Sequence, residues 1–156
     1  AFLIVGDGAE RESLEADARR RGLANVVFAG SVGKDEVTRY WRLADAALVL
    51  LRDRPVFRHV LPSKIFEAMA TARPIVLGVL GESAELLQKA GGGIVIAPEN
   101  ATALADALVR LASDPVMAQD LGRAGRRFVE KELDRDKLAA SMLDELRLVA
   151  EMRTSS

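Results

Sequence analysis

The sequence predicts an α/β protein with a doubly wound parallel sheet. Five short runs rich in Val, Ile and Leu alternate along the chain with amphipathic segments. None of these runs alternates cleanly with polar residues, as a strand does when one of its faces meets water. Continuous apolar runs are typical of strands buried on both faces of a parallel sheet, and the repeated strand–helix order implies right-handed crossovers.

The strands and the helices between them can be placed in order. The predicted strands cover residues 1–6, 25–30, 46–51, 74–79 and 93–98. The predicted helices between them cover residues 9–21, 35–43, 63–72 and 82–90. The first helix is acidic early and basic late, which suits the helix dipole, and Gly22 follows as a stop signal. In the second helix Val37, Tyr40 and Trp41 share one face, as helix-packing side chains do.

Only helices are predicted after the last strand. Asn100 or Thr102 is expected to cap a helix that runs to Leu111, and Asp114 followed by Pro115 is typical of another helix start. A last helix at 135–152 carries one apolar stripe, which consists of Leu138, Met142, Leu146 and Val149. We therefore expect one domain over residues 1–153 and a frayed tail at 154–156.

Composition bounds the class of protein. The 156 residues suit one domain with a real core, and the net charge of −1 gives no bulk attraction to nucleic acid or anionic lipid. The absence of cysteine excludes disulfides and thiol chemistry and fits a reducing compartment, and a single histidine excludes a multi-histidine metal site within the chain. No membrane span or signal peptide is visible. The chain opens inside an apolar strand without methionine, so we expect a fragment of a longer protein.

The turns after the strands are the candidate ligand sites, because open parallel sheets bind ligands at the carboxyl ends of their strands. The turn Gly6–Gly8 would let a ligand approach the backbone, but it also fits a plain strand-to-helix turn. Arg11 stands where the dinucleotide fingerprint needs its last glycine, which argues against a nicotinamide cofactor. The turn at Gly30, Ser31 and Val32 could bond a planar base, or it could be a turn with a capping serine.

The segment after the third strand is the strongest candidate. Pro62 precedes Ser63, which is placed to cap the helix that follows, and the free N–H groups of a first helical turn favour an anion. Lys64 adds a positive charge where it opposes the helix dipole, which makes sense if a phosphate is its partner. Glu67, one turn later, suits ribose hydroxyls. The alternative is a surface Lys–Glu pair. His59 lies just before this segment, with a possible minor role or none.

Four segments resemble one known family. They read "FLIVGDGAERESL", "GLANVVFAGSV", "LPSKIFEAMATARPIV" and "DPVMAQDLGRAGRRFVEKEL", in that order, and cover nearly the whole chain. They are similar to the carboxyl-terminal, donor-binding domain of retaining glycosyltransferases of the GT-B fold, group 1 or family 4. Within that group the third segment most resembles the bacterial surface-polysaccharide transferases, which carry P-S-K-x-F-E-x-M-A.

The resemblance implies a Rossmann-like domain that binds a nucleotide-sugar donor. Glu67 would bind the ribose hydroxyls, and Ser63 and Lys64 would lie against the diphosphate. The turn Gly30–Val32 would line the base pocket, with Gly6 and Gly8 nearby. The parent enzyme would move a sugar from a UDP- or GDP-sugar to a lipid-linked or saccharide acceptor, without a metal or other cofactor. It would be cytoplasmic, with the parent peripheral at the inner face of a bacterial membrane, and this chain alone would be inactive.

The sequence also departs from the family pattern. His59 stands where many members have the first of two glutamates, and Ala72 stands where glycine is usual. The domain's usual first strand and helix, and the acceptor domain, are lacking. A missing central strand would leave residues 1–6 and 46–51 to pair directly, to accept a strand from another chain by self-association, or to pair with a preceding segment outside this sequence.

Two other functions remain open. The first is a nucleotide-sugar 2-epimerase, which shares the architecture. The second is a non-catalytic α/β regulatory module, although a receiver module would need acidic residues clustered at its strand ends. No nucleic acid partner is expected at this net charge.

Overall fold

The computed structural model describes residues 1–154, which divide into two compact units, residues 1–45 and the residues from 46 onward. Some side chains lie outside that description, namely those of Lys34, Arg135, Ala150, Glu151, Arg153 and Thr154.

The first unit contains two strands and two helices. These are β1 (Phe2–Val5), α1 (Arg11–Arg20), β2 (Val26–Gly30) and α2 (Lys34–Leu43). The two strands pair in parallel, with Phe2 opposite Val26, and the register shifts between Ile4 and Val5. Because the strands are parallel, the turns that follow them meet at one edge, where the Gly6 N–H donates to the Gly30 carbonyl over 2.8 Å.

Burial of β1 on both faces was expected and is wrong for the described residues. Phe2, Leu3 and Ile4 are 38%, 43% and 41% exposed. Successive residues of a strand point to opposite faces, so exposure of three in a row means that neither face of β1 is fully covered. The apolar run correctly predicted a strand, but it did not predict how much of each face of that strand other residues cover.

The second unit contains the remaining strands. Its elements up to the last strand are β3 (Ala47–Leu50), a 3-10 helix (Pro55–His59), α3 (Ser63–Ala70), β4 (Ile75–Gly78), α4 (Glu82–Ala90) and β5 (Gly93–Val95). The strands form a parallel sheet in the order β3-β4-β5, with Ala47 opposite Ile75 and Ile75 opposite Gly93. The 3-10 helix was not predicted from the sequence.

The core of the second unit is built around β4. Every residue of β4 is buried, as expected for a central parallel strand. On one of its faces Val76 packs with Ala107 and Leu111. Ile65 and Met69 are also fully buried and anchor α3. This anchoring holds the start of α3 at the carboxyl end of the sheet.

Three helices complete the second unit. They are α5 (Ala101–Ser113), α6 (Pro115–Glu132) and α7 (Arg135–Thr154). The predicted caps are confirmed, since the Asn100 side chain accepts a bond from the Ala103 N–H and the Asp114 side chain accepts one from the Met117 N–H, each over 2.9 Å. Among residues 1–154, no helix has both the length and the apolar content needed to cross a membrane.

The boundaries of the predicted elements need only small changes. Thr154 is the last residue of α7 rather than the first of a frayed tail, and Ser155 and Ser156 lie outside the described residues. Ala72 adopts a φ of +54°. Glycine reaches this left-handed region without strain, which explains why glycine is the usual residue at this point of the family pattern.

Each of the two strand orders, taken by itself, matches part of a Rossmann sheet. In the order 3-2-1-4-5-6, β2 and β1 would be strands 3 and 2, and β3, β4 and β5 would be strands 4, 5 and 6. Direct pairing of residues 1–6 with residues 46–51 was one expectation, and it is wrong, because β1 and β3 belong to different sheets.

Self-association of this chain stays a prediction, and α7 supplies its clearest motive. The apolar side chains along α7 are all about half exposed or more, at Leu138, Met142, Leu143, Leu146, Leu148, Val149 and Met152. A continuous exposed apolar surface of this kind favours association. We expect the sedimentation coefficient of the 156-residue chain to rise with concentration.

A matched pair of variants tests this expectation. Leu146→Glu should abolish the concentration dependence, whereas Arg147→Glu, which changes a polar position of the same helix, should preserve it. A coefficient that stays at the monomer value over the whole concentration range would contradict self-association.

Candidate functional site

The two turns of the first unit lie side by side. Gly6 and Gly30 are joined by a backbone hydrogen bond, so the predicted turns Gly6–Gly8 and Gly30–Val32 share one edge of the sheet. The Gly8 N–H is bonded to the Asp7 side chain over 2.8 Å. The structure therefore brings these predicted site residues together within residues 1–45.

Arg11 is a residue of this edge that the sequence analysis missed. A β-carbon at Gly30 would lie only 3.1 Å from Arg11 Nη1, so the guanidinium lies against the turn. A hydrogen bond to Glu15 over 2.8 Å raises the pKa of Arg11, with smaller contributions from the charges of Glu15 and Asp7. Arg11 is the first residue of α1, and its contact with Gly30 gave no signal in the sequence, because it depends on strand pairing.

The start of α3 differs in one respect from the prediction. Ser63 was expected to cap the helix, but the N-cap residue is Pro62 and Ser63 is the first helical residue. The Ser63 hydroxyl instead donates to Glu67 Oε1 over 3.1 Å. Pro62 occupies the N-cap position, but a proline side chain has no acceptor for a bond from the first N–H groups of the helix. The first N–H groups of α3 therefore receive no side-chain cap.

Lys64 lies in this uncapped first turn. It is exposed, and its ammonium makes no ion pair or hydrogen bond with any residue that the structure describes. The first turn contains no acidic residue. A cation at the positive end of a helix is unfavourable by a few tenths to about 1 kcal/mol, so the arrangement favours an external anion.

Glu67 lies one turn after Ser63 on α3. It is partly buried, and its carboxylate is turned back toward the first turn, where it accepts the Ser63 hydroxyl. The segment Ser63, Lys64 and Glu67 thus forms one polar cluster above the buried residues Ile65 and Met69. It combines donors for an anion with a carboxylate that can accept hydroxyl groups.

His59, for which a minor ligand role or none was predicted, contacts the start of α4. It is the last residue of the 3-10 helix, and its Nδ1 lies 3.1 Å from Oε1 of Glu82, the first residue of α4. Ser83, the next residue, is fully buried and donates its hydroxyl to the Val60 carbonyl. The loop before α3 is thus fastened to the start of α4. The sequence analysis placed Glu82 and Ser83 in a predicted helix and named neither as part of the site.

A signal for Ser83 did exist in the sequence. The buried residues of α4 follow a helical period, and they are Ser83, Ala84, Leu87 and Ala90. Ser83 is the one among them with a polar side chain. A buried hydroxyl needs a hydrogen-bond partner, but the sequence alone does not say which. Within residues 1–154, no group of three or more His, Cys, Asp or Glu side chains is placed to hold a metal ion.

Comparison with known proteins agrees with this fold and these segments. The family model "Glycosyl transferases group 1" matches residues 1–114. A GDP-mannose-dependent alpha-(1-6)-phosphatidylinositol monomannoside mannosyltransferase of Mycobacterium tuberculosis is 34% identical over 150 residues, which cover 94% of this chain and 39% of that protein. A 2-deoxystreptamine glucosyltransferase of Streptomyces kanamyceticus is 29% identical over 84% of this chain and 33% of that protein.

Solved structures share the fold. A sucrose-phosphate synthase from Thermosynechococcus elongatus superposes with a TM-score of 0.74 at 25% identity, over 99% of this chain and 39% of that one. Anabaena HepE, solved with UDP and glucose, gives a TM-score of 0.76 at 20% identity, over 93% of this chain and 39% of that one. The predicted GT-B carboxyl-terminal fold is confirmed, and the chain spans between a third and two fifths of the length of the curated relatives named above. The chain belongs to the group 1 glycosyltransferases.

Proposed function

We propose that this chain is the donor-binding domain of a retaining glycosyltransferase and that it holds a UDP- or GDP-sugar. The observation that carries the proposal is the start of α3, where Lys64 has no partner among the described residues and the helix has no side-chain cap. A diphosphate would supply the missing negative charge to both. No packing role explains a cation at this position.

The chemistry of sugar transfer fits the same groups. When the bond between the sugar and the diphosphate breaks, negative charge grows on the leaving phosphate oxygens. Lys64 and the N–H groups of the first turn of α3 are fixed before the reaction by the burial of Ile65 and Met69. Preorganised donors aimed at developing charge lower the barrier, so these groups would bind the donor and also stabilise its leaving group.

The nucleoside would be held by other groups. Glu67 would accept hydrogen bonds from the two ribose hydroxyls, replacing the bond that it now accepts from Ser63. Within residues 1–45, taken by themselves, the turn at Gly30, Ser31 and Val32, with Gly6 and Gly8 nearby, remains a proposed backbone contact for a base. His59 would have at most a minor role in binding, since its ring already contacts Glu82.

The donor and the wider context are also part of the proposal. The Mycobacterium tuberculosis relative is GDP-mannose-dependent by its name, and Anabaena HepE was solved with UDP and glucose, which makes GDP-mannose and UDP-glucose the first donors to test. The parent enzyme would add an acceptor domain, take a lipid-linked or saccharide acceptor, and need neither metal nor nucleic acid. It would act in the cytoplasm, peripherally at the inner face of the membrane, and this chain alone would be inactive.

The test is a titration of the 156-residue chain with GDP, UDP, GDP-mannose and UDP-glucose, followed by NMR. We expect one nucleotide series to shift the amides of Ser63 to Glu67, with the same affinity in the presence of a metal chelator. Interconversion of a nucleotide-sugar with its 2-epimer by the parent enzyme would favour the epimerase alternative. Shifts with none of these ligands would contradict donor binding and favour a regulatory module.

Replacement of Glu67 by glutamine is expected to weaken binding of the nucleoside diphosphate roughly tenfold or more, while the fold stays intact. A carboxylate accepts bonds from both ribose hydroxyls, whereas an amide has one acceptor and one donor group, and a hydrogen bond to a charged group contributes about 1.5–3 kcal/mol. Isothermal titration calorimetry measures the change. Glu145→Gln, the same substitution on the exposed helix α7, serves as the control.

A 2′,3′-dideoxy nucleotide makes this test specific. Removal of both hydroxyls should cost affinity in the wild-type chain and cost much less in the Glu67→Gln variant, because their shared partner has already been changed. If the dideoxy nucleotide loses as much affinity in the variant as in the wild type, Glu67 is not the ribose ligand.

A further inference from the structure

The loop between β3 and α3 is long for a parallel sheet and is held by polar contacts. It runs from residue 51 to residue 62, whereas connections in such sheets are usually about 2–6 residues. Three of its apolar side chains, Val56, Val60 and Leu61, are 64%, 37% and 44% exposed, and Leu51 and Phe57 are only partly buried. Long loops of this kind are usually either functional or disordered. This one has a defined conformation, and polar contacts add to the limited apolar burial that holds it.

The contacts that hold the loop come from the start of α4 and from the connection between β5 and α5. The Asp53 N–H donates to Glu99 Oε2 over 3.1 Å, and His59 Nδ1 lies 3.1 Å from Glu82 Oε1. The carbonyl of Arg58 approaches Gly81 so closely that a β-carbon on Gly81 would lie 2.2 Å from it. These contacts fasten the first half of the loop and its 3-10 helix.

Ser83 makes the most buried of these contacts. Its side chain is fully buried, and among the described residues it is the one buried residue that is polar. Its hydroxyl donates to the carbonyl of Val60. The neighbouring buried positions of α4 are Ala84 and Leu87, so an alanine would serve packing equally well. A buried hydroxyl is costly unless it is bonded, so its presence is explained by the bond and by what the bond positions.

The bond acts on the start of α3. Val60 precedes Ser63 by three positions, and Pro62, with a φ of −63°, stiffens the connection between them. The Ser83 hydroxyl therefore fixes the chain just before the turn that carries Lys64. Without this bond the loop would sample other conformations, and a ligand that contacts it would have to order it on binding.

We propose that Ser83 is a positioning residue for donor binding, which holds the loop 51–62 in the conformation that accepts the diphosphate of a nucleoside diphosphate. The inference rests on the proposed function, because it assigns the diphosphate to the start of α3. Ser83 touches no part of the donor. It acts through the Val60 carbonyl and the segment that leads from it to Lys64.

The test compares Ser83→Ala with Ser113→Ala, which removes an exposed serine hydroxyl at the end of α5. Affinities for UDP, GDP, uridine and guanosine are measured by calorimetry on the 156-residue chain, and hydrogen exchange follows the amides of residues 54–60. For the nucleotide that binds, we expect Ser83→Ala to weaken diphosphate binding roughly tenfold and to change nucleoside binding little. We also expect faster exchange across residues 54–60. Ser113→Ala should change neither.

A double-mutant cycle separates positioning from a loss of general stability. If Ser83 acts through the turn of Lys64, the loss caused by Ser83→Ala should shrink in a Lys64→Ala background. An equal loss in both backgrounds, or wild-type affinity in Ser83→Ala, would overturn the inference. Ser83→Cys, which keeps nearly the same side-chain shape and replaces the hydroxyl with a weaker donor, provides the same comparison if Ser83→Ala does not fold. Its expected loss is smaller, and an unchanged affinity together with unchanged exchange in the loop would overturn the inference.

The failure of the proposed function would look different. If the wild-type chain binds neither UDP nor GDP, the donor-binding function is wrong and the role of Ser83 in it falls too. If the wild-type chain binds one of them and Ser83→Ala binds it equally well, donor binding stands and only the positioning role is wrong.

Discussion

The Lys64→Ala variant is expected to bind nucleoside diphosphates roughly 10- to 100-fold more weakly than the wild-type chain and to bind the nucleosides almost unchanged. Lys64 is exposed in the first turn of α3 and has no partner among the described residues. A charge-assisted contact between an ammonium and a phosphate is about twice as strong as a neutral hydrogen bond. Calorimetric titration of UDP against uridine, and of GDP against guanosine, measures the difference.

Lys64→Ala should not weaken the fold in the way that it weakens diphosphate binding. Lys64 opposes the dipole of α3, so its removal relieves an unfavourable interaction and places a better helix former in the first turn. The free energy of unfolding should therefore stay the same or rise slightly. Lys131→Ala removes the same charge from the last turn of α6 and should leave binding unchanged. Equal losses of affinity for the nucleoside and its diphosphate would rule out the diphosphate role of Lys64.

The Gly81→Ala variant is expected to lose about 3 kcal/mol or more of folding stability. Gly81 precedes α4 with a φ of +79° and a ψ of −142°, a region that is almost closed to residues with a β-carbon. That β-carbon would also lie 2.2 Å from the Arg58 carbonyl oxygen, inside any tolerable contact distance. The loop 51–62 would have to move away from α4. Denaturant unfolding measures the loss, and donor affinity should fall with it.

Gly91→Ala is the matched control at the other end of α4. Gly91 has a φ of +60° and a ψ of 27°, so alanine there meets left-handed strain, which costs about 1–2 kcal/mol. Its β-carbon would meet only Ala124, at an ordinary distance of 3.7 Å. The difference between the two variants therefore reflects the contact between Gly81 and Arg58 together with the more restricted backbone region of Gly81. Similar losses in the two variants would mean that this contact does not hold the loop.

The sequence predicted every strand and α-helix of the described residues, because local features carry that information. Continuous Val, Ile and Leu runs identified the strands, as in β4, and the caps at Asn100 and Asp114 were placed correctly. The polar cluster of Ser63, Lys64 and Glu67 was also visible, since helical spacing places such residues on adjacent turns. Each of these features depends on neighbours within a few residues.

Other parts of the candidate site could not be predicted in this way. The 3-10 helix Pro55–His59, the contact of His59 with Glu82 and the bond from Ser83 to Val60 join residues that are far apart in sequence. The role of Ser63 was misjudged because its hydroxyl can either accept a bond from a first-turn N–H as an N-cap or donate one to the Glu67 carboxylate, and Ser63 proved to be the first helical residue and the donor. Exposure of β1 depends on what covers a strand, which its own residues do not encode.

The sequence by itself determined the order of elements, the family and the candidate phosphate site at the start of α3. Periodicity, caps and the segment from Pro62 to Ala70 are properties of short stretches of chain. Only the tertiary structure decided which strands pair, that Arg11 lies against Gly30, and that the loop before α3 is fastened to α4 through Val60 and Ser83. The physical reason is that hydrogen bonds and close contacts between distant segments form only after the core has brought those segments together.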